Sequence, residues 1–243
     1  MHVRILPFGV LKDSLGPDPF ALDLPGGATV ADLLARLGVQ APAVESLGIA
    51  VSVNAEYAGR SQVLRENDEV GLLPPVSGGT PSSGPPKSEE SVFIRLTRDP
   101  IQADTLVAAA KQGEDGAVIV FDGIVRNNSR GRRTLHLDYE AYEEMALKQM
   151  NELAREALTR FEVRNVAIVH RLGRLQVGET SVLIIVSSAH RRHAYEASRW
   201  LIDTLKKTVP IWKKETFADG AVWANGEPFP QGYAVEGADG SAS

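Results

Sequence analysis

A segment of linker composition divides the chain, and it constrains the possible folds more than any other feature. Residues 80–90 read Thr-Pro-Ser-Ser-Gly-Pro-Pro-Lys-Ser-Glu-Glu and show no apolar periodicity. Such a segment interrupts helices and strands and has no apolar face to bury. We therefore expect two domains, at residues 1–79 and 91–232, joined by this linker, with a flexible tail at residues 233–243.

The segment before the linker has the order of elements found in a β-grasp domain. Alternating apolar residues predict four strands, and an apolar stripe at helical spacing predicts one helix after the second strand. We expect Thr29 to cap this helix and Gly38 to end it. A hairpin, a helix and returning strands follow one another in this segment. The strands are expected at residues 3–6, 20–24, 49–53 and 69–73.

The segment after the linker mixes strand and helix patterns, so the whole chain is predicted to be an α+β protein. Its helices are expected over residues 101–111, over a long stretch near residues 142–161, and after Arg192. A polar, basic stretch at residues 127–133 contains glycine and is predicted to be a mobile loop. The strands are expected at residues 92–96, 116–120, 135–140, 166–170 and 181–187.

Composition excludes several classes of function. The net charge is −5, so no global positive field exists to hold nucleic acid. The chain has no cysteine, which rules out disulfides, thiolate-bound zinc, iron–sulfur clusters and a cysteine nucleophile. Any sulfur chemistry must then use sulfur that is not carried by a side-chain thiol. The five histidines are scattered, and we expect neither a metal site nor a bound cofactor.

The sequence indicates neither a membrane-spanning protein nor a secreted one. The first residues are broken by Pro7 too early to form a signal peptide. No apolar run approaches the roughly 18 residues that span a bilayer. A Gly-x-Ser-x-Gly elbow, which would indicate a serine hydrolase, does not occur in the sequence. We therefore expect a cytoplasmic protein whose partners include neither nucleic acid nor a membrane.

A lysine-rich stretch near the end of the chain, Lys-Lys-Thr-Val-Pro-Ile-Trp-Lys-Lys-Glu, is the strongest candidate site. Pro210 cannot continue a helix and pushes the residue before it into an extended conformation. Lys206 and Lys207 are therefore expected on the last turn of a helix, with Lys213 and Lys214 in the extended chain that follows. Such a corner suits an anionic ligand, and crowded ammonium groups favour a usable nucleophile or proton donor. The alternative is a solvated basic helix end, which the helix dipole favours.

Two further cationic positions follow predicted strands. His190 and Arg191 lie where a strand passes into a helix, and free N–H groups at such a junction bind phosphate or carboxylate. The alternative there is a helix cap with arginines on the surface. Arg126 follows Gly123 at the end of another predicted strand and offers a similar arrangement.

Several of these motifs together resemble molybdopterin synthase. The ending Pro74-Pro75-Val-Ser-Gly78-Gly79 is similar to the tail of the small subunit, a ubiquitin-like sulfur carrier. The segment after the linker resembles the large, catalytic subunit. The matching motifs are Phe121-x-Gly-x-Val-Arg126, Tyr139-Glu-Ala-Tyr142-x-x-Met145-Ala, His170-Arg-x-Gly173, Ser188-Ala-His190-Arg191 and Lys206-x-x-x-Pro210-x-Trp212-Lys213-x-Glu215.

The resemblance implies a fold and a reaction. It implies a ubiquitin-like β-grasp domain linked to an α/β hammerhead-type catalytic domain. The family acts as a sulfurtransferase in molybdenum cofactor biosynthesis: it installs the two dithiolene sulfurs of molybdopterin on cyclic pyranopterin monophosphate. The sulfur arrives as a thiocarboxylate on the terminal glycine of the carrier, which would be Gly79 here.

The resemblance also implies roles for individual residues and partners. Lys206 would be the principal catalytic lysine and Lys213 the second. The family further implies a sulfur-loading adenylyltransferase as a partner, and self-association through the catalytic domain as a homodimer, or as a heterotetramer after cleavage. The phosphate and the pterin of the substrate would be held by Arg126, His190, Arg191 and Lys214.

One feature departs from the family pattern. Thr80 follows Gly79, so Gly79 has no free carboxyl group to load with sulfur. We therefore expect cleavage after Gly79. The alternative is an uncleaved fusion that serves as a non-catalytic ubiquitin-like carrier or interaction module tethered to an anion-binding domain.

Overall fold

The computed structural model describes residues 1–38, 44, 48–75, 91–129, 131–218 and 220–223. The described chain divides into two compact units, residues 1–75 and residues 91–223. Gly78, Gly79, the predicted linker and the predicted tail lie outside the described residues, so the predicted domain boundaries stay predictions. In the described part of the chain, no helix combines the length and the apolar character needed to cross a membrane.

The first unit is a five-stranded sheet with one long helix packed on it. The sheet order is β2-β1-β5-β3-β4, and the central pair β1 and β5 is parallel while the other pairs are antiparallel. This is the predicted β-grasp arrangement. Among its described residues, the α-helices and strands named here are β1 (His2–Pro7), α1 (Lys12–Leu15), β2 (Phe20–Asp23), α2 (Val30–Gly38), β3 (Ala50–Val53), β4 (Glu56–Ala58) and β5 (Glu69–Leu73).

The long helix of this unit begins and packs as the sequence predicts. The Thr29 hydroxyl accepts a hydrogen bond from the Asp32 N–H (3.3 Å), and the Asp32 carboxylate accepts one from the Thr29 N–H (2.8 Å). This reciprocal cap satisfies donors that the first turn would otherwise leave unpaired. The apolar stripe of Leu33, Leu34 and Leu37 is buried in the core against the sheet.

The described residues of the second unit form two sheets and three helices. One sheet has the order β6-β10-β12-β7, and the other has the order β11-β9-β13-β14, with β8 paired to β9. The strands are β6 (Val92–Thr97), β7 (Ala117–Ile124), β8 (Asn128–Ser129), β9 (Arg132–Ala141), β10 (Asn165–Arg171), β11 (Gly173–Gln176), β12 (Thr180–Ser188), β13 (Ile211–Phe217) and β14 (Gly220–Trp223). The helices are α3 (Ala103–Ala110), α4 (Glu143–Arg160) and α5 (Arg191–Thr208).

Helices pack against both faces of the β6-β10-β12-β7 sheet. One face packs against α4 and α5, and its core contains Leu153 and Leu201 from the helices and Ile184 from β12. The other face packs against α3, where Ala110 meets Ile185. Neighbouring residues of a strand point to opposite faces, so a continuous apolar strand such as β12 serves two cores at once.

The prediction of a mobile loop at residues 127–133 is wrong for most of that stretch. Asn128–Ser129 pairs with Arg132 and Arg133 as a short hairpin. Gly131 adopts a positive φ of 79°, and its N–H donates to the Asn128 side-chain oxygen (3.2 Å), which closes the turn. The hairpin has no alternating apolar residues, so periodicity did not reveal it. Periodicity also missed β4, β11 and β14.

Candidate active site

The predicted corner at Pro210 is present. Helix α5 ends at Thr208, and Val209 is extended (φ −80°, ψ 124°), as expected for a residue before proline. The Pro210 carbonyl accepts a hydrogen bond from the Tyr142 N–H (3.1 Å), which ties the corner to the start of α4. Lys206 lies on the last turn of α5 and is exposed to solvent.

Lys213 lies on β13, three residues beyond the corner, and has a carboxylate partner. Its Nζ is 3.0 Å from Oε1 of Glu215, a residue that is only 7% exposed. In the sheet Lys213 is paired with Tyr139 and Glu215 with Leu137. Directly opposed residues share a face, so all four side chains lie on one face of this sheet.

Lys214 belongs to the opposite face of the same sheet, because side chains alternate along a strand. It pairs with Asp138 on β9 and with Trp223 on β14. Its Nζ lies 5.5 Å from the centre of the Trp223 ring, a distance at which a cation is attracted to an aromatic face. The structure therefore does not bring Lys214 to the side of the sheet that carries Lys213.

Arg126 lies close to the face that carries Lys213. It follows β7 and is exposed, and Val125 before it is anchored by donating its N–H to the Glu179 carbonyl (3.0 Å). Val125 is buried against Leu137 and Leu175, with Tyr139 packed beside them. Leu137 and Tyr139 are on the face that carries Lys213. Because Val125 packs against them, the next residue, Arg126, lies close to that face.

His190 and Arg191 lie at the opposite end of the β6-β10-β12-β7 sheet from Arg126. Strands β7 and β12 are antiparallel: Ile124, near Arg126, pairs with Thr180, and Ala117 pairs with Ser188, near His190. A nine-residue strand rises roughly 26 Å at about 3.3 Å per step. Within one chain, the structure therefore does not bring His190 and Arg191 together with Arg126.

Helix α5 connects the two ends. It begins at Arg191, packs on β12 and β7, and has 18 residues, which corresponds to about 27 Å. It therefore runs back along the sheet, so that Lys206 on its last turn lies toward the end of the sheet that is next to Arg126. Apart from Lys214, the predicted cationic site residues thus fall into two groups. The first contains Lys206, Lys213 and Arg126, and the second contains His190 and Arg191.

A buried neutral histidine lies beneath the first group. The His170 ring stands edge-on to Tyr139, with 5.1 Å between ring centres, and its Nδ1 is 3.0 Å from the Arg171 carbonyl oxygen. Burial lowers the pKa of His170 to about 4, because an imidazolium would lose its hydration there. His170 is therefore uncharged at neutral pH. Among the described residues, no group of three or more His, Asp or Glu side chains is placed to hold a metal ion.

The structure adds Glu215 and Tyr139 to the residues around Lys213. Neither was proposed as a site residue from the sequence, although both belong to the motifs quoted above. Glu215 could have been identified from the sequence as a neighbour of Lys213, since residues two positions apart in extended chain lie on the same face. Tyr139 could not, because its position opposite Lys213 depends on the register of two distant strands. Gly79 lies outside the described residues.

Two family models match the chain. The model described as MoaE protein matches residues 96–208, and the model described as ThiS family matches residues 5–79. The first range contains Arg126, His190, Arg191 and Lys206, and the second contains Gly79. The two models thus match the two units separately.

Similar proteins agree with the first model. The molybdopterin synthase catalytic subunit of Pyrococcus abyssi is 43% identical over 136 residues, which cover 55% of this chain and 92% of that protein. The one from Bacillus subtilis is 42% identical over 130 residues, covering 54% and 83%. A crystal structure of molybdopterin synthase from Staphylococcus aureus has a TM-score of 0.51 at 40% identity, covering 53% of this chain and 94% of that one. The chain therefore belongs to the family of molybdopterin synthase catalytic subunits and carries a ThiS-family domain ahead of its catalytic domain.

Proposed function

We propose that this protein is a sulfurtransferase that converts cyclic pyranopterin monophosphate into molybdopterin. The sulfur is carried as a thiocarboxylate on Gly79 of its own first domain. Each transfer moves one sulfur from the carrier's acyl carbon to a carbon of the substrate. The carrier ends as an ordinary carboxylate, with an oxygen from the substrate or from water in place of the sulfur.

The observation that carries this proposal is the corner at Pro210, together with the family membership. Both the thiocarboxylate and the phosphorylated pterin are anions, so their approach needs fixed positive charge. Lys206 from a helix end and Lys213 from the following strand supply it, with Arg126 at the same end of the β6-β10-β12-β7 sheet as Lys206. Lys206 acts either as the proton donor or as a transient covalent partner of the acyl group.

Lys206→Arg tests the catalytic role. Arginine keeps the charge but does not lose a proton in proteins, so an enzyme that needs a transferable proton or amine loses activity, by roughly a hundredfold or more. Lys207→Arg, the same change on the exposed neighbour, is the matched control and should retain activity. The measurement is molybdopterin formation from cyclic pyranopterin monophosphate with thiocarboxylated carrier. Near-normal conversion by the Lys206 variant would count against its catalytic role and show that this position supplies only charge. Absence of conversion by the unmodified protein would favour the alternative, a non-catalytic ubiquitin-like module tethered to an anion-binding domain.

Gly79 can serve only after the peptide bond to Thr80 is broken, so the proposal includes cleavage at this position. The released carboxyl would then be activated by a sulfur-loading adenylyltransferase. Intact-mass spectrometry of the protein from its native host should find a fragment ending at Gly79, and a form carrying sulfur in place of oxygen. A single full-length species that still produces molybdopterin would overturn this step.

The two separated cationic groups favour self-association through the catalytic domain. One copy offers Arg126 at one end of the sheet and Arg191 at the other, too far apart for one small substrate. In a two-fold dimer, the His190 end of one copy can meet the Lys206 end of its partner. We therefore propose a homodimer, which becomes a heterotetramer when the two carriers are cleaved and stay bound.

A further inference from the structure

A partly buried ion pair lies next to the segment that carries His190 and Arg191, and the proposed mechanism does not use it. Arg164 and Asp115 form a two-pronged pair, in which the Arg164 Nε–H donates to Asp115 Oδ1 at 2.8 Å. The Asp115 side chain is 4% exposed, and Arg164 also donates to the Ala110 carbonyl at 2.8 Å. The Arg164 guanidinium holds the pKa of the Asp115 carboxyl below its usual value, so the pair stays ionised at neutral pH.

The same arginine holds the end of β12. The backbone N–H of Arg164 donates to the Ser187 carbonyl at 2.8 Å. The Ser187 hydroxyl donates to the Ala110 carbonyl at 2.9 Å, the acceptor that Arg164 also uses. The bond of the Ser187 hydroxyl is buried, so Ser187 is held by the backbone of Arg164 and by the end of α3 together.

The residue after Asp115 contacts the segment directly. The Gly116 N–H donates to the Ser188 carbonyl (3.1 Å), and the His190 N–H donates to the Ser188 hydroxyl (3.3 Å). A Cβ on Gly116 would lie 2.2 Å from the Ala189 carbonyl oxygen, far inside contact distance. Only glycine lets the two backbones approach this closely.

We propose that Asp115, Arg164 and Gly116 are positioning residues that hold His190 and Arg191 in the geometry that binds the substrate's phosphate. The inference rests on the proposed function. None of the three need touch the substrate. They remove freedom from the segment before binding, so less ordering is required when the phosphate arrives. A small misplacement of such a segment has a large effect on binding and rate.

Asp115→Asn in the full-length protein tests this. The amide keeps the shape of the side chain but loses the charge, and we expect the Kd for cyclic pyranopterin monophosphate to rise roughly tenfold. Hydrogen exchange followed by mass spectrometry should show faster exchange confined to the segment around residues 187–192. Asp203→Asn is the matched control, since Asp203 pairs with Arg199 on the exposed face of α5, the helix that begins at Arg191. It should change neither quantity.

A double-mutant cycle separates positioning from a merely structural role. In an Arg191→Ala background one of the two positioned phosphate-binding side chains is already absent, so Asp115→Asn should weaken binding by less than tenfold. An equal loss in both backgrounds would overturn the inference, as would an unchanged Kd or unchanged exchange in the single variant. If Asp115→Asn fails to fold, Arg164→Lys serves instead, because it keeps the charge and the backbone bond to Ser187 but loses the two-pronged contact.

The outcomes also distinguish this inference from the proposed function. If the unmodified protein binds no cyclic pyranopterin monophosphate, the proposed function fails. The exchange measurement still decides whether Asp115 holds the segment. Unaltered exchange at residues 187–192 in Asp115→Asn would refute the positioning role.

Discussion

The two lysines of the candidate site differ in their immediate surroundings. Lys213 has the Glu215 carboxylate 3.0 Å away on the same sheet face. Lys206 is exposed at a helix end, and in the described part of the chain no acidic side chain forms an ion pair with it. Lys213 is thus held in place by its carboxylate partner, while the exposed Lys206 side chain can approach an incoming acyl group. This difference supports assigning charge stabilisation to Lys213 and the proton transfer or covalent step to Lys206.

Glu215→Gln should lower the rate of molybdopterin formation by roughly tenfold, because Lys213 loses the charged partner that orients it. The substitution preserves volume, so the fold should survive. In a Lys213→Ala background the same change should have little further effect on the rate. Steady-state assays of the two single variants and the double variant check this. Equal losses with and without Lys213 would show that Glu215 acts elsewhere.

His170 makes the stability of the second unit depend on pH. Its pKa is about 4 in the folded protein and near 6.5 when exposed, so between these values the unfolded state binds a proton that the folded state does not. The free energy of unfolding should therefore fall with decreasing pH, by about 2 kcal/mol between pH 7 and pH 5. Urea unfolding at the two pH values measures it. In His170→Asn most of this decrease should vanish, and an equal decrease in both proteins would contradict the assignment.

Single elements are set by short-range interactions. Helix α2 begins at a reciprocal cap between Thr29 and Asp32, and its apolar stripe does the packing. The hydrogen bonds from Thr29 keep the pKa of Asp32 below its usual value. The corner between α5 and β13 depends in the same way on Pro210 and the residue before it. Such features were predictable because each depends on residues within a few positions of one another.

Thr29→Ala should lower the free energy of unfolding of the first unit by about 1 kcal/mol, since the helix loses the side-chain oxygen of its cap. Thr29→Ser keeps that oxygen and should recover most of the stability. Chemical unfolding followed by a probe in the first unit measures both. A serine variant as unstable as the alanine variant would show that the methyl group of Thr29, rather than its hydroxyl, matters.

For the whole molecule, the decisive feature is that the cationic side chains lie at opposite ends of one sheet. Antiparallel pairing of β7 with β12 places Arg126 and His190 roughly 26 Å apart along the strands. Helix α5 then returns Lys206 to the Arg126 end. A single small substrate can contact both groups only if they come from two copies.

Mixing inactive variants tests this arrangement. Arg126→Ala and Arg191→Ala should each be nearly inactive alone. After co-refolding, half of randomly formed dimers are mixed, and each has one site with both arginines intact, so about a quarter of the normal activity should return. Mixing Arg126→Ala with Lys213→Ala is the control, since both changes lie at the same end and no intact site forms. Absence of recovery in the first mixture would argue for a site within one copy.

Much of this protein was predictable from its sequence, because the relevant forces act locally. Period-two and helical spacing located most strands and helices, Thr29 marked a helix start, and Pro210 marked the corner. The motifs identified the family. The errors came from stretches without apolar periodicity: the hairpin at residues 128–133 and the short strands β4, β11 and β14.

The tertiary structure alone decided which charges share a face or an end. It placed Lys213 beside Tyr139 and Glu215 but turned Lys214 to the other side of the sheet. It also separated Arg126 from His190. These relations depend on strand order and on the register between segments far apart in the chain. Shifting a register by one residue would reverse every face while leaving the local pattern unchanged.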